Sequence, residues 1–256
     1  MRHRRRRATI IALLVPALLG AGMALPSPGV ALDGTELLPD LGSLPPKDFS
    51  IQSRPRGGRW LRFDTVIVNV GPGVFEAEGR GPVVGDELQE VVQLVETASG
   101  GRTEVATPAS MFFAGDGHDH WHVRDLQDWT IASVNERAEP LRSGAKTGFC
   151  FWDNHRYGST AAAFYHPITT SACEMRTDGT VPMGLSVGWG DEYPSSIAFQ
   201  YIDISGLPNG DYVVTLEADL GGEFIEADET NNTGWAVIRI TRKSVKILST
   251  GTDLLP

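Results

Sequence analysis

The sequence predicts an all-β protein, a single β-sandwich-like domain with long loops, behind an N-terminal export signal. Three observations predict it. From residue 61 onward, short runs rich in Val, Ile, Thr and aromatics alternate with Gly, Pro, Asn and Asp; no window of about a dozen residues keeps a helical apolar period; and neither a repeat nor a linker divides the chain. The runs read as strands are 61–70, 88–96, 129–134, 147–152, 198–204, 212–218, 235–241 and 245–248. Pro72-Gly73, Pro208-Asn209-Gly210 and Asn231-Asn232 punctuate them as turns. Stacked sheets are the natural way to bury such runs.

Ahead of the strands, Arg2 and Arg4 to Arg7 precede an apolar stretch over residues 8–25, then small residues and Pro. That is the order of a cleavable secretory signal, with Ala24 and Ala31 as cleavage points. The expected organisation is therefore a signal peptide over 1–31, an extended arm packing on the domain over 32–58, and the main domain over 59–256. A secreted protein with no stable membrane insertion after cleavage follows from this reading.

Removing residues 1–31 takes five Arg and no acid, leaving 17 basic against 32 acidic residues, a balance of −15 in place of −10. Such an excess argues against nucleic acid as the main partner, since phosphate neutralisation needs surplus Lys and Arg. It can draw cationic substrates without identifying one. The two cysteines, Cys150 and Cys173, cannot form a disulfide framework or a Cys-only zinc site. Outside the cytoplasm they can pair with each other, the alternative being two buried thiols.

Three of the six histidines fall in Gly115-Asp116-Gly117-His118-Asp119-His120-Trp121-His122. On an extended segment, His118, His120 and His122 project to one face. The outer Cβ atoms of a flat strand would lie roughly 13 Å apart, so convergence on one ion requires a bend. Three imidazoles with open positions suit Cu(II) or Zn(II) and not the oxygen-seeking Ca²⁺ or Mg²⁺. Further on, Glu226, Asp228, Asn231 and Asn232 crowd oxygen donors onto one hairpin. This reads either as a solvated acidic turn or as part of a Ca²⁺ site that needs oxygens from elsewhere.

Together these segments resemble the lysyl oxidase family. His118-Asp119-His120-Trp121-His122, with Asp125 and Leu126, is similar to the family's copper-binding segment; Lys146-Thr147-Gly148-Phe149-Cys150 resembles its Lys-x-x-Phe-Cys. Gly184-Leu185-Ser186, Asp191-Glu192-Tyr193 and Gln200-Tyr201-Ile202-Asp203-Ile204 resemble its Gly-Leu-Ser, Asp-x-Tyr and Gln-Trp-Ile-Asp-Ile elements, and the hairpin its Glu-x-Asp-x-x-Asn-Asn. The matches run in order from about residue 36 to residue 240.

The resemblance implies that residues 59–256 form a lysyl-oxidase-like catalytic domain in which His118, His120 and His122 bind copper. It implies that Lys146 and Tyr193, 47 positions apart, are crosslinked into lysine tyrosylquinone. The implied activity is a copper- and quinone-dependent amine oxidase of the protein-lysine 6-oxidase type. Lysine side chains of proteins or small primary amines, together with O₂, would yield aldehyde, hydrogen peroxide and ammonia. Asp116, Asp125, Asp128 and Asp191 are the candidates for the base. Structural Ca²⁺ is implied at Glu226, Asp228, Asn231 and Asn232, completed by Asp40 and Leu41. A Cys150–Cys173 bond would help fix the Lys146 strand. From a different class, a non-catalytic extracellular copper- and calcium-binding β-domain uses the same residues, and a zinc hydrolase lacks a convincing partner acid.

Overall fold

The structure, a computed structural model, describes residues 34–85, 87–88, 90–115, 119–158, 164–165 and 172–254. The expected signal peptide lies outside these. The protein is all-β. Among the described residues the strands form four antiparallel sheets, and helix is confined to a 3₁₀ turn at Pro55–Gly57. No helix among them is long and apolar enough to cross a membrane.

The longest strand, Arg59–Asn69, organises the centre. Its first half alternates buried and partly buried residues, and its second half, Thr65 to Asn69, is continuously buried. Sequence and position agree: that half is Val-rich and is flanked by Leu41–Ser43 on one side and Trp189–Tyr193 on the other. A second sheet is a run of antiparallel neighbours, Gln127–Ser133, Gly210–Ala218, Thr233–Ile240 and Val245–Thr252. A third pairs Phe75–Arg80 with Glu90–Thr97 and Val181–Leu185. The smallest places His120–Arg124 between Met111–Ala114 and Gly148–Phe149.

One buried cluster joins all four sheets, with Leu61 and Phe63, Trp129 and Leu216, Phe75 and Val181, Met111 and Val123 among its members. Burying these large side chains together is what holds the layers face to face. Residues 36–53 belong to the sheets as well. Leu41–Ser43 and Lys47–Ser53 both pair with Arg59–Asn69, and Leu41 is fully buried.

Two expected strands are much shorter than their apolar runs: 147–152 contributes only Gly148–Phe149, and 198–204 only Ile202–Asp203. Both segments leave their ladders to border the cavities described next. Phe75–Arg80, Val181–Leu185 and Trp189–Tyr193 are further strands, outside the runs that the sequence pattern marks.

Candidate active site

His120 and His122 lie on the strand His120–Arg124 with Trp121 and Val123 buried on its other face. Their Nε2 atoms approach to 2.9 Å. Two nitrogens bound to one ion at about 2.0–2.1 Å stand roughly 2.9–3.4 Å apart, so this pair matches the donor spacing of a single transition metal. The bend that the histidine segment requires occurs at Asp119, whose φ is +41°. His118 lies outside the described residues.

Lys146 reaches the same place from the segment before Gly148–Phe149. That segment is pinned by hydrogen bonds from Ala145 N to Tyr201 O, 3.0 Å, and from Asp125 N to Thr147 O, 2.9 Å. Lys146 is buried, its Nζ 5.1 Å from the Tyr193 ring centroid and 5.3 Å from that of Phe149. Tyr193 ends the strand Trp189–Tyr193, paired there with Thr65. Its ring meets Phe149 edge-on at 5.5 Å, and its hydroxyl donates to Cys150 O at 2.5 Å. Burial first, and then the neighbouring Asp191, hold the phenol pKa far above its usual range.

The disulfide Cys150–Cys173 is formed, with Cα atoms 5.7 Å apart. Cys173 O also accepts from Trp121 N at 2.9 Å, so the bridge links the lysine segment to the histidine strand.

A cavity of about 370 Å³ unites these groups, lined by His120, His122, Lys146, Asp191 and Tyr193 among others. Of the acids weighed as the base, Asp191 alone among those described borders it; Asp125 and Asp128 do not, and Asp116 lies outside the described residues. Asn154 Nδ2 donates to Asp191 Oδ1, while Oδ2 is buried with no hydrogen-bond partner. Burial raises the Asp191 pKa well above the usual carboxylate range, against smaller opposing effects of Tyr193, Asn154, the Trp152 backbone and Lys146. The neighbouring Glu192 is engaged elsewhere, by Lys47 at 2.7 Å and His155 at 3.2 Å.

A second group of acids gathers at the hairpin 223–232. The hairpin is clasped to the chain's start by Ala227 N donating to Pro39 O, 2.8 Å, and Ser43 N to Asn232 O, 3.1 Å. Glu226 accepts from Leu41 N and, at 3.1 Å, from Asn232 Nδ2. Ligand oxygens of Asp219, Glu226 and Glu229 lie within 4.8 Å of one another. Asp40 Oδ1, Asn231 Oδ1 and Asn232 Oδ1 are buried without hydrogen-bond partners. Burial drives the Glu226 pKa up to about 9 and that of Asp219 up to about 7, and neighbouring carboxylates, Glu229 among them, push both further upward.

Oxygen donors in this number fit a hard cation such as Ca²⁺. Of the residues that the sequence pointed to, Asp40, Leu41, Glu226, Asn231 and Asn232 come together here. Asp228 is exposed and accepts from Thr230 N at 2.9 Å and Thr230 Oγ1 at 2.6 Å. Asp219 and Glu229 were not singled out by the sequence reading. Glu229 stood unremarked within the hairpin string, and nothing in the spacing of Asp219 announces it.

The site thus joins a pair of strand histidines, a buried lysine and a buried tyrosine on an all-β scaffold. The sequence matches the family described as lysyl oxidase over residues 96–250, and the chain belongs to that family. Human protein-lysine 6-oxidase is 30% identical over 126 residues, covering 48% of this chain and 27% of that protein. Bovine lysyl oxidase homolog 2 is 26% identical over 118 residues, covering 46% of this chain and 14% of that protein. The chain therefore spans about a quarter or less of these curated relatives.

Proposed function

We propose that this chain is a secreted amine oxidase that uses copper at His118, His120 and His122 and a quinone built from Lys146 and Tyr193. It deaminates peptidyl lysine or other primary amines to aldehydes, with release of hydrogen peroxide and ammonia. The observation that carries this reading is the 5.1 Å approach of Lys146 Nζ to the Tyr193 ring in a cavity shared with His120 and His122. A lysine buried beside a buried phenol at the wall of a cavity is an arrangement that functional sites favour. Copper held by His118, His120 and His122 would, with O₂ as the oxidant, supply the chemistry that oxidises the Tyr193 ring and bonds Lys146 Nζ to it, and the quinone so formed would offer an electrophilic carbonyl to the substrate amine.

The chain's own groups do the rest. Phe149 and the Cys150 carbonyl fix the plane of the Tyr193 ring, and the pinned Ala145-Lys146-Thr147 backbone fixes Nζ against it. Asp191, held by Asn154 and with Oδ2 free to accept, takes the proton from the carbon bearing the substrate nitrogen. Pro194, Ile197 and Trp152 enclose the chamber and limit water.

The test is chemical. The mature protein is loaded with copper in air, digested and examined by mass spectrometry for a peptide pair joined through Lys146 and Tyr193. A joined pair with a redox-cycling quinone stain is expected. Separate peptides in copper-replete protein that makes no peroxide from amines would leave the non-catalytic metal-binding domain in its place.

Ca²⁺ at Asp40, Leu41, Asp219, Glu226, Glu229, Asn231 and Asn232 completes the proposal, with Asp228 at the rim. The buried oxygens without donors support it. A cation bound only in the folded state raises stability by mass action, about 2.7 kcal/mol at a hundredfold excess over Kd. Chelation with EGTA is therefore expected to lower the melting temperature by several degrees, and added Ca²⁺ to restore it. Glu226→Gln should abolish that response, and a calcium-independent melting curve for the parent protein would refute the site.

A further inference from the structure

Lys146 and His122 also border a second cavity, of about 420 Å³, on which the reading above makes no claim. Its walls are the rings of Phe112, Phe113 and Phe199 and the backbone around Gly148. Among the described residues no carboxylate lines it, whereas Asp191 and Glu192 line the reaction chamber. We infer that this aromatic cavity is the subsite for the body of the substrate, and that it selects a primary amine carried on an aromatic ring, an arylalkylamine, over an aliphatic diamine. The inference rests on the oxidase reading and narrows its substrate class.

Four features support it. Lys146 and His122 line both this cavity and the reaction chamber, so a ring held here lies against the lysine whose Nζ is 5.1 Å from the Tyr193 ring. Its volume lies near the small end of the range for ligand sites, about 300–1,000 Å³, enough for one ring and a short chain. Phe113 and Phe199 are 38% and 48% exposed, and Phe199 holds a left-handed φ of +58°, a costly arrangement for a large apolar residue unless something covers it. Gly148 keeps the floor open, since a Cβ there would stand 2.8 Å from His122 Nδ1.

Charge decides between an aromatic and a diamine. The second ammonium of a diamine would lose water against phenylalanine rings, with no carboxylate among the described lining residues to meet it. The Phe112 face that could offer a cation–π contact is already covered by the Arg124 guanidinium at 4.4 Å. A neutral ring meets neither cost, and edge-on or offset contacts with three phenylalanines favour it.

The experiment compares kcat/KM for 2-phenylethylamine and cadaverine, read as peroxide release by the copper-loaded protein. A preference of about tenfold for 2-phenylethylamine is expected, the scale on which apolar pockets discriminate. Phe199→Ser should bring the ratio to about one, while Ile247→Ser, an exposed apolar change on Val245–Thr252 outside the cavity, should keep it. A parent ratio at or below one, or a preference that survives Phe199→Ser, overturns the subsite. Should no amine yield peroxide, the oxidase reading fails and calorimetry on the same copper-loaded protein decides the subsite. Tighter binding of 2-phenylethylamine than of cadaverine, lost in Phe199→Ser, sustains it, and equal binding overturns it.

Discussion

Replacing Tyr193 by Phe is expected to reduce peroxide release from primary amines by on the order of 10³-fold or more, with the protein still folded. The substitution removes one oxygen. The ring keeps its edge-on contact with Phe149, and the loss is the hydroxyl's hydrogen bonding to the Cys150 carbonyl and to Asp191, a net effect of about 1–3 kcal/mol. Stability should therefore fall only modestly, while a ring without the hydroxyl cannot become the quinone. Lys146→Arg should fail equally, because a guanidinium 5.1 Å from the same ring keeps the charge but not the primary amine that bonds to it. The discriminating measurement pairs activity with a melting curve. Both variants should melt near the parent and show neither quinone stain nor crosslinked peptide. A Tyr193→Phe protein with appreciable turnover would eliminate the quinone from the mechanism.

Asp191→Asn is expected to lower kcat by about 10²–10⁴-fold, the usual contribution of a general base. Its pH dependence makes the role separable from simple packing. Burial raises the Asp191 pKa well above the ordinary carboxylate range, so the folded protein holds its proton at pH values where the unfolded chain has released it. Between those two pKa values the native state binds more protons than the unfolded one, and stability falls as pH rises. Asparagine does not titrate. The variant should thus melt higher than the parent at neutral pH while losing most of its rate. It should also lose the rise in kcat with pH that deprotonation of Asp191 gives the parent. An Asp191→Asn protein that is less stable and only mildly slower would mark the carboxyl as structural.

Much of the scaffold was legible because it obeys period-2 chemistry. The strands Gly210–Ala218 and Thr233–Ile240 alternate buried and partly exposed positions under β-branched residues, and turn residues bound them. What was misread carries glycine and proline. Trp189–Tyr193 and Val181–Leu185 contain Gly190, Gly184 and Pro182, which look like breaks in a lone sequence. In the fold Gly190 is a spacer: a Cβ there would collide with the Ile67 carbonyl of the paired strand. That contact joins residues more than a hundred positions apart, and nothing local encodes it.

The candidate site divides in the same way. The histidine pair was visible as an i, i+2 pattern, and the bend that it requires occurs at Asp119. Lys146 and Tyr193 carried no signal of their own and emerged only through resemblance to a family. Asp219 and Glu229 had not even that. Their carboxylates meet Glu226 only because the hairpin folds them together, so burial and proximity, not spacing, reveal them.

The clasp joins segments that are made far apart in the order of synthesis. Leu41 N meets Glu226 across 185 positions, and Thr252 Oγ1 donates to Ser43 O across 209. At about 5–20 residues per second, the early strand waits roughly 10–40 s for its last partner to be made. Until then the Leu41–Ser43 side of the central sheet stands uncovered, and contacts this distant in sequence close slowly once both ends exist. Completion of the fold is therefore a late event in the life of the chain. The proposed Ca²⁺ site lies at this seam, so a cation bound there would fix a contact that forms only after both of its distant segments exist.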